Sequence, residues 1–149
     1  MPNSAPARAA TGFLAAAISV LTFHQLTIGL LHLLAIPGLE IRGTPYNFSP
    51  VPPFGVPVLL NLCFWGGLYG AAFGLLAPKL PAPMWRNGIV LGVVAVLVGF
   101  FVVATIKHTP IGGGWVLNNW IRSLLINGSW GLGVGLIYPA LASRVLRRG

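Results

Sequence analysis

The chain has 149 residues, of which 56% are hydrophobic and only 7% are charged, and its formal net charge is +8. Because a soluble domain needs about 25% charged residues to keep its surface solvated, this composition excludes an ordinary soluble fold and predicts a single membrane domain over residues 1–149. The Lys and Arg residues lie at helix ends and in loops rather than along one face, which indicates membrane topology and excludes a nucleic-acid partner.

Four apolar stretches are long enough to cross a hydrocarbon core of about 30 Å. Lipid offers no partner to unpaired backbone groups, so each stretch must be a helix. The predicted fold class is therefore an all-α integral membrane protein, a four-transmembrane-helix bundle. The predicted helices cover residues about 11–36, 56–77, 88–106 and 119–146. The first is too long for a signal peptide and no small-x-small site follows it, so we expect it to be retained.

The first predicted helix carries His24 and Gln25 near its middle, and Asn61 and Asn127 lie at similar depth in the second and fourth. Polar groups within a membrane are costly and by default mark functional candidates. His24 can be an axial haem ligand or a protonation switch. Alternatively, it is a neutral side chain that pins the bundle by hydrogen bonding to Asn61, Asn127 or a backbone carbonyl. His32 lies two turns, about 12 Å, further along the same helix and cannot serve the same haem.

The chain has a single acidic residue, Glu40, and it falls in the loop after the first helix. A coupled transporter would normally use an intramembrane carboxylate, so this position weighs against a proton-driven pump. Because the chain has only this one acidic residue, catalysis by paired carboxylates and a Ser-His-Asp triad are also excluded. We therefore predict no catalytic residues, no metal site and no enzymatic activity. Glu40 either pairs with Arg122, one turn into the fourth helix, or stays a solvated loop charge.

Residues 43–57 form a loop with prolines at positions 45, 50, 52, 53 and 57. Proline restricts the backbone to extended and turn conformations, so the loop is expected to be stiff and to lie back on the outer ends of the helices. Tyr46, Phe48 and Phe54 give it apolar anchors. Two interpretations stay open: a docking surface or lid, and a structured cap.

Glycines recur at four-residue spacing on the later helices, a pattern that lets helix backbones approach closely. These stripes serve either packing within the bundle or docking to another subunit or a second copy. They consist of Gly66, Gly70 and Gly74 on the second helix, Gly88 and Gly92 on the third, and Gly131 and Gly135 on the fourth.

The five tryptophans divide into two groups by predicted depth. Trp85, Trp115 and Trp120 lie near the predicted interfaces and are typical of an aromatic belt. Trp65 and Trp130 fall near the middle of their helices, which places them inside the bundle or at a protein contact.

An ungapped offset of 65 residues matches part of the chain to itself. It places Trp65 on Trp130 and Gly70 on Gly135, within a run of identities over residues 44–77. One interpretation is a duplication that gives two tandem parallel hairpins, related by a pseudo-twofold axis along the membrane normal. The other is convergence, because Trp, Gly and Leu are common in membrane helices.

The distribution of Lys and Arg over the short loops predicts the orientation. Both termini are expected in the cytoplasm, with the loops at about 37–55 and 107–118 outside. The inner side would carry Arg8, Lys79, Arg86, Arg144, Arg147 and Arg148, against Arg42, Lys107 and Arg122 on the outer side.

Four segments together resemble a group of small proteobacterial inner-membrane proteins: Phe23-His24-Gln25, Leu31-His32, the run YNFSPVPPFGVP over residues 46–57, and FWGGLYG over residues 64–70. The proline-rich run is the most specific of them. The resemblance covers about residues 11–77 and implies a bacterial inner-membrane location and a multi-span fold. It implies no activity, ligand or catalytic residue.

The sequence thus predicts a non-catalytic accessory or scaffolding subunit that packs against a larger membrane complex or against itself. The alternative is a small oligomeric transporter or channel with a polar path near His24, Gln25, Asn61 and Asn127. A third hypothesis is a redox subunit that binds haem or quinone. No cofactor is predicted, with haem held by His24 as the minor alternative.

Overall fold

The computed structural model describes residues 4–41 and 43–146, which form an all-helical bundle of four long helices. Each helix is long and apolar enough to cross a membrane, which confirms that part of the sequence prediction. Helix α1 covers Ala5–Leu34, α2 covers Val58–Lys79, α3 covers Met84–Ile106 and α4 covers Leu117–Leu146. Three of the charges that predicted the orientation lie outside the described residues: Arg42, Arg147 and Arg148.

The start of α1 shows why a helix boundary differs from the boundary of an apolar stretch. The hydroxyl of Ser4 accepts a hydrogen bond from Ala7 N at 3.3 Å and Pro6 stands in the first turn, so the helix begins at Ala5 rather than near residue 11. It ends at Leu34 because Ala35 adopts a left-handed conformation, with φ of +44°.

Two of the helices contain a π-helical turn. In α1 it covers Val20–His24 and in α3 it covers Val98–Val103. In the first of these, Gln25 N donates to Val20 O, so the carbonyl of Leu21 loses the partner that it would have in a regular α-helix. Such turns are rare in α-helices and frequently mark functional positions.

The connection between α1 and α2 carries the only strands among the described residues. Strands β1 (Pro50–Val51) and β2 (Val56–Pro57) pair antiparallel, with Pro50 opposite Pro57 and Val51 opposite Val56. The other long connection contains a 3-10 turn over Ile111–Trp115, and α2 and α3 are joined by the short segment 80–83. We call the segment from Tyr46 to Pro57 the outer hairpin.

The helices pack in the spatial order α2, α1, α4, α3. Contacts are dense between α1 and α2, between α3 and α4, and between α1 and α4, whereas α2 and α3 make few contacts with each other. The buried core accordingly lies along α1 and α4 and the inner face of α2. Its members include Ala15, Ala16, Val20, Phe73, Trp130, Val134 and Tyr138.

Backbone-to-backbone contacts at glycine hold each hairpin together. A Cβ on Gly12 would collide with the carbonyl oxygen of Gly70, next to the backbone of Gly74. Likewise, a Cβ on Gly88 would collide with the carbonyl oxygen of Gly131 and lie against Gly135. The stripes on the later helices are therefore occupied within the chain. Gly66 is different, because it faces the side chains of Val20 and Trp130.

These crossings also bear on the internal repeat. In the two hairpins Gly70 occupies the place of Gly131, and Gly74 occupies the place of Gly135. The sequence match instead aligns Gly70 with Gly135, which is one helical turn away. The pairing of helices into two hairpins is present, but the 65-residue offset is not the equivalence that their packing shows. The duplication itself stays a prediction.

Candidate functional site

The bundle is open between α2 and α3, which make few contacts with each other. The inner part of this opening is a cavity of about 260 Å³ that is lined by all four helices. A second cavity of about 290 Å³ continues between α2 and α3 and shares Tyr69 with the first. We call the first cavity the cleft and the second the apolar groove. The cleft is lined by Val20, His24, Leu62, Trp65, Gly66, Tyr69, Ala95, Gly99, Asn127 and Trp130.

Both π-helical turns contribute to this cleft. Val20 and His24 are the first and last residues of the π turn in α1, and Gly99 lies in that of α3. No atom lies within 4 Å of the position that a Cβ on Gly99 would occupy, so this glycine leaves open space. Distorted helix turns in α1 and α3 therefore both line the cleft.

His24 stands at the floor of the cleft, with only 9% of its surface exposed. The backbone N–H of Tyr46 donates to Gln25 Oε1 at 2.7 Å, which fixes the orientation of the Gln25 amide. Gln25 Nε2 then faces His24 Nδ1 at 3.3 Å and must be the donor. The neutral imidazole consequently carries its proton on Nε2. Among the described residues no side chain or backbone group bonds to this Nε2–H, so it is a donor available to the cleft.

The polar cluster predicted from the sequence does not form as one unit. His24 bonds to its neighbour Gln25 and not to Asn61, Asn127 or a carbonyl, which corrects the predicted pairing. Asn127 lines the cleft, but its amide donates to Ser123 O one turn back at 3.0 Å. Gln25 points away from the cleft into a separate cavity beside the outer hairpin, because successive residues of a helix point in different directions. Asn61 lines neither cavity.

Of the polar groups that join α1 to α4, Trp130 was singled out from the sequence, but neither Ser19 nor Ser129 was. Ser19 donates to Trp130 O at 2.6 Å, and Trp130 Nε1 donates to Ala16 O at 3.1 Å. About two turns further along α1, the hydroxyl of Thr27 donates to that of Ser129 at 2.7 Å. The composition of α1 could have suggested such bonds, since hydroxyls and indoles commonly join helices in membranes.

Trp65 and Trp130 both line the cleft but differ in burial. Trp130 is buried in the core, as the interior interpretation predicted. Trp65 is 55% exposed, so for it the interior interpretation is wrong and only a protein contact stays open. Its indole is exposed because α3 does not cover this face of α2.

The three tryptophans of the predicted belt lie at or near the ends of α3 and α4. Trp115 and Trp120 stack on each other at 6.4 Å between ring centroids, and Phe100 and Phe101 pack against them. Trp85 lies at the start of α3 under the guanidinium of Arg86.

The outer hairpin is bonded to the outer end of α2 and also to the middle of α1, so it reaches deeper into the bundle than predicted. The hydroxyl of Tyr46 donates to Leu21 O, the carbonyl displaced by the π turn, at 2.8 Å. Leu59 N donates to Asn47 O at 3.0 Å, so α2 begins directly from the hairpin. Because α2 starts only at Val58, the hairpin occupies the space beside α1 that a longer α2 would fill.

The aromatic residues of the outer hairpin have different environments. Tyr46 is the anchor, whereas Phe48 is 63% exposed and Phe54 is 88% exposed. A hairpin that is held by hydrogen bonds thus presents two phenylalanines outward.

Arg122 and Glu40 do meet, but through the backbone. Arg122 Nη1 donates to the main-chain carbonyl of Glu40 at 2.8 Å, and Nη2 donates to Asn119 Oδ1 at 2.6 Å. The Glu40 carboxylate accepts from its own N–H and from that of Gly38, which lowers its pKa, and Arg122 adds a smaller effect in the same direction.

The donors needed for a metal site do not converge in the described part of the chain, where no three His, Cys, Asp or Glu side chains form a group. Comparison of the chain with protein-family models, curated proteins and solved structures gives no match.

Proposed function

We propose that this chain is an integral protein of the bacterial inner membrane that crosses it four times, with both termini in the cytoplasm. It acts there as a non-catalytic accessory or scaffolding subunit, bound to a larger membrane complex or to a second copy of itself. Four helices of sufficient length and apolarity support the membrane location. The basic residues at the end that carries Lys79, Arg86 and Arg144 support the orientation.

The outer hairpin carries the proposal of a docking role. It is pre-organised, because Tyr46 bonds to Gln25 and to Leu21 O and the two strands pair. Its phenylalanines Phe48 and Phe54 are nevertheless exposed. A surface that is already ordered loses little conformational entropy on binding, so rigid aromatic side chains of this kind are effective contacts.

The glycine stripes support packing within the chain rather than docking. Gly70 and Gly74 are covered by α1, and Gly131 and Gly135 are covered by α3. We therefore expect the outer hairpin and the exposed Trp65 to contact the partner.

The transporter alternative receives less support from the geometry. Gln25 uses both ends of its amide, toward Tyr46 and His24. The amide of Asn127 is bonded within its own helix, and Asn61 lies apart from both. These side chains do not line a common path through the bundle.

The test is purification in a mild detergent from the native membrane, followed by native electrophoresis and mass spectrometry. We expect the wild type to migrate with partner chains or as a homo-oligomer. Phe54→Ser combined with Phe48→Ser should release it as a monomer, because the contact loses both aromatic rings. Ile111→Ser, at a residue of similar size that is also exposed outside the hairpin, is the matched control and should keep the assembly. A wild type that runs alone as a monomer would contradict the docking role.

A further inference from the structure

We propose that the cleft binds a lipophilic molecule with a carbonyl oxygen, which accepts a hydrogen bond from His24 Nε2–H. The molecule would enter from the bilayer between α2 and α3. This inference goes beyond the docking role and rests only on the proposed membrane location. It is independent of any contact made by the outer hairpin.

The imidazole of His24 offers the cleft a hydrogen-bond donor that is not used within the described chain. His24 is more than nine-tenths buried and lines the cleft, yet its Nε2–H has no partner among the described residues. The Nε2 atom itself keeps some exposed surface, so an acceptor that enters the cleft can reach it. The chain of hydrogen bonds from Tyr46 through Gln25 to Nδ1 holds this proton on Nε2, so the arrangement is prepared for an acceptor in the cleft.

The lining of the cleft indicates a neutral and apolar ligand. No Lys, Arg, Asp or Glu is among the residues that line it, and its aromatic side chains are those of Trp65, Tyr69 and Trp130. Few polar groups in a mostly apolar pocket are the usual features of a site for a small lipophilic molecule. The indole N–H of Trp130 is already bonded to Ala16 O, which leaves four polar groups at the cleft: those of His24, Asn127, Tyr69 and Trp65.

The shape of the space separates the carbonyl end from the apolar tail. The cleft provides about 260 Å³ at His24, and the apolar groove provides about 290 Å³ along the same two helices. Together they lie within the range of about 300–1,000 Å³ that is typical of ligand sites. The groove would take an alkyl or isoprenoid chain against Ala72, Phe73, Leu76, Val90 and Val94.

Two membrane components have this chemistry: the ring carbonyl of a quinone with an alkyl chain, and the ester carbonyl of a phospholipid. Intrinsic fluorescence can separate them, because Trp65 and Trp130 line the cleft. The full chain is placed in phosphatidylglycerol vesicles and titrated with a decyl-substituted benzoquinone in one arm. In the other arm the vesicles contain phospholipid with brominated acyl chains, which quenches nearby indoles.

Two variants and a control test the site. His24→Phe removes the donor and Gly99→Leu fills the open space, and each should weaken saturable quenching about tenfold or more. Gly128→Leu makes the same change at a glycine that also has open space but does not line the cleft, and it should leave quenching unchanged. Decylbenzene, which lacks a carbonyl, should compete at least tenfold more weakly than the quinone.

The outcomes are distinct. Saturable quenching by the quinone that depends on His24 and Gly99 supports a quinone ligand, and the same dependence for brominated lipid alone supports a phospholipid. Quenching that is linear with concentration and equal in wild type, His24→Phe and Gly99→Leu would overturn the proposal, as would equal competition by decylbenzene. If Gly99→Leu does not fold, the quenching of His24→Phe and the competition by decylbenzene test the proposal without it.

Discussion

At the scale of single residues, Trp130 joins α1 and α4 by hydrogen bonds in both directions. Its carbonyl accepts from Ser19 and its indole N–H donates to Ala16 O. Its ring also packs edge-on against Tyr69 of α2 at 6.2 Å between centroids. One side chain thus contacts two other helices, and it also lines the cleft.

Replacing this indole tests the contact between α1 and α4. Trp130→Phe removes the bond to Ala16 O but keeps an aromatic ring, so we expect a loss of about 0.6–1.7 kcal/mol in the free energy of unfolding. The measurement is a denaturation curve in mixed detergent micelles. Trp115→Phe, the same change at an exposed indole that packs on Trp120 but donates no hydrogen bond within the described chain, should cost less. Equal losses in the two variants would show that the bond contributes nothing specific.

The same scale shows what could be predicted about the site. The sequence places His24 in the middle of a helix, and there it lies in the structure. Its bond to Gln25 could not be predicted, because the π turn changes the direction of each following side chain and nothing in the run VLTFH indicates such a turn. Tyr46 could not be connected to Gln25 either, since a loop leaves no periodicity to place it.

At the scale of helices, two glycine crossings determine how each hairpin packs. Gly12 meets Gly70 and Gly74, and Gly88 meets Gly131 and Gly135. Helices associate this closely in lipid through van der Waals contact rather than through the hydrophobic effect.

A methyl group at one crossing should force the hairpin apart. Gly12→Ala places a Cβ against the backbone of Gly70, which cannot move without shifting α2, so we expect a loss of about 1–3 kcal/mol in unfolding free energy. Steric trapping or mixed-micelle denaturation measures it. Gly128→Ala, where a Cβ meets open space, is the matched control. A Gly12→Ala protein as stable as that control would refute the crossing.

The helices themselves were largely predictable and their neighbours were not. Length and apolarity predict the four helices, and the glycine stripes indicate their crossing faces. The separation of α2 from α3 has no signature in the sequence, because a lipid-exposed helix is apolar on every side and no polar face marks the open one. Gly12 and Ala16 also stand four residues apart, and Gly70 lies against both, so this small-xxx-small pair could have indicated the crossing face of α1.

At the scale of the whole molecule, the bundle is open on one side. If the two hairpins were related by a pseudo-twofold axis, the seam between α1 and α4 would be repeated between α2 and α3. The structure instead has the cleft and the apolar groove at that place. The departure from symmetry and the proposed ligand site therefore coincide.

Four crossings with both termini inside is the central claim, and cysteine labelling in intact cells tests it most directly. In a Cys63→Ser background, Phe54→Cys and Ile111→Cys place single thiols at exposed positions of the two long connections. Ala82→Cys and Ser143→Cys place them at exposed positions near the other end. We predict that a membrane-impermeant maleimide labels the first pair in intact spheroplasts and the second pair only after permeabilisation. Labelling of Phe54→Cys and Ala82→Cys from the same side would contradict the claim.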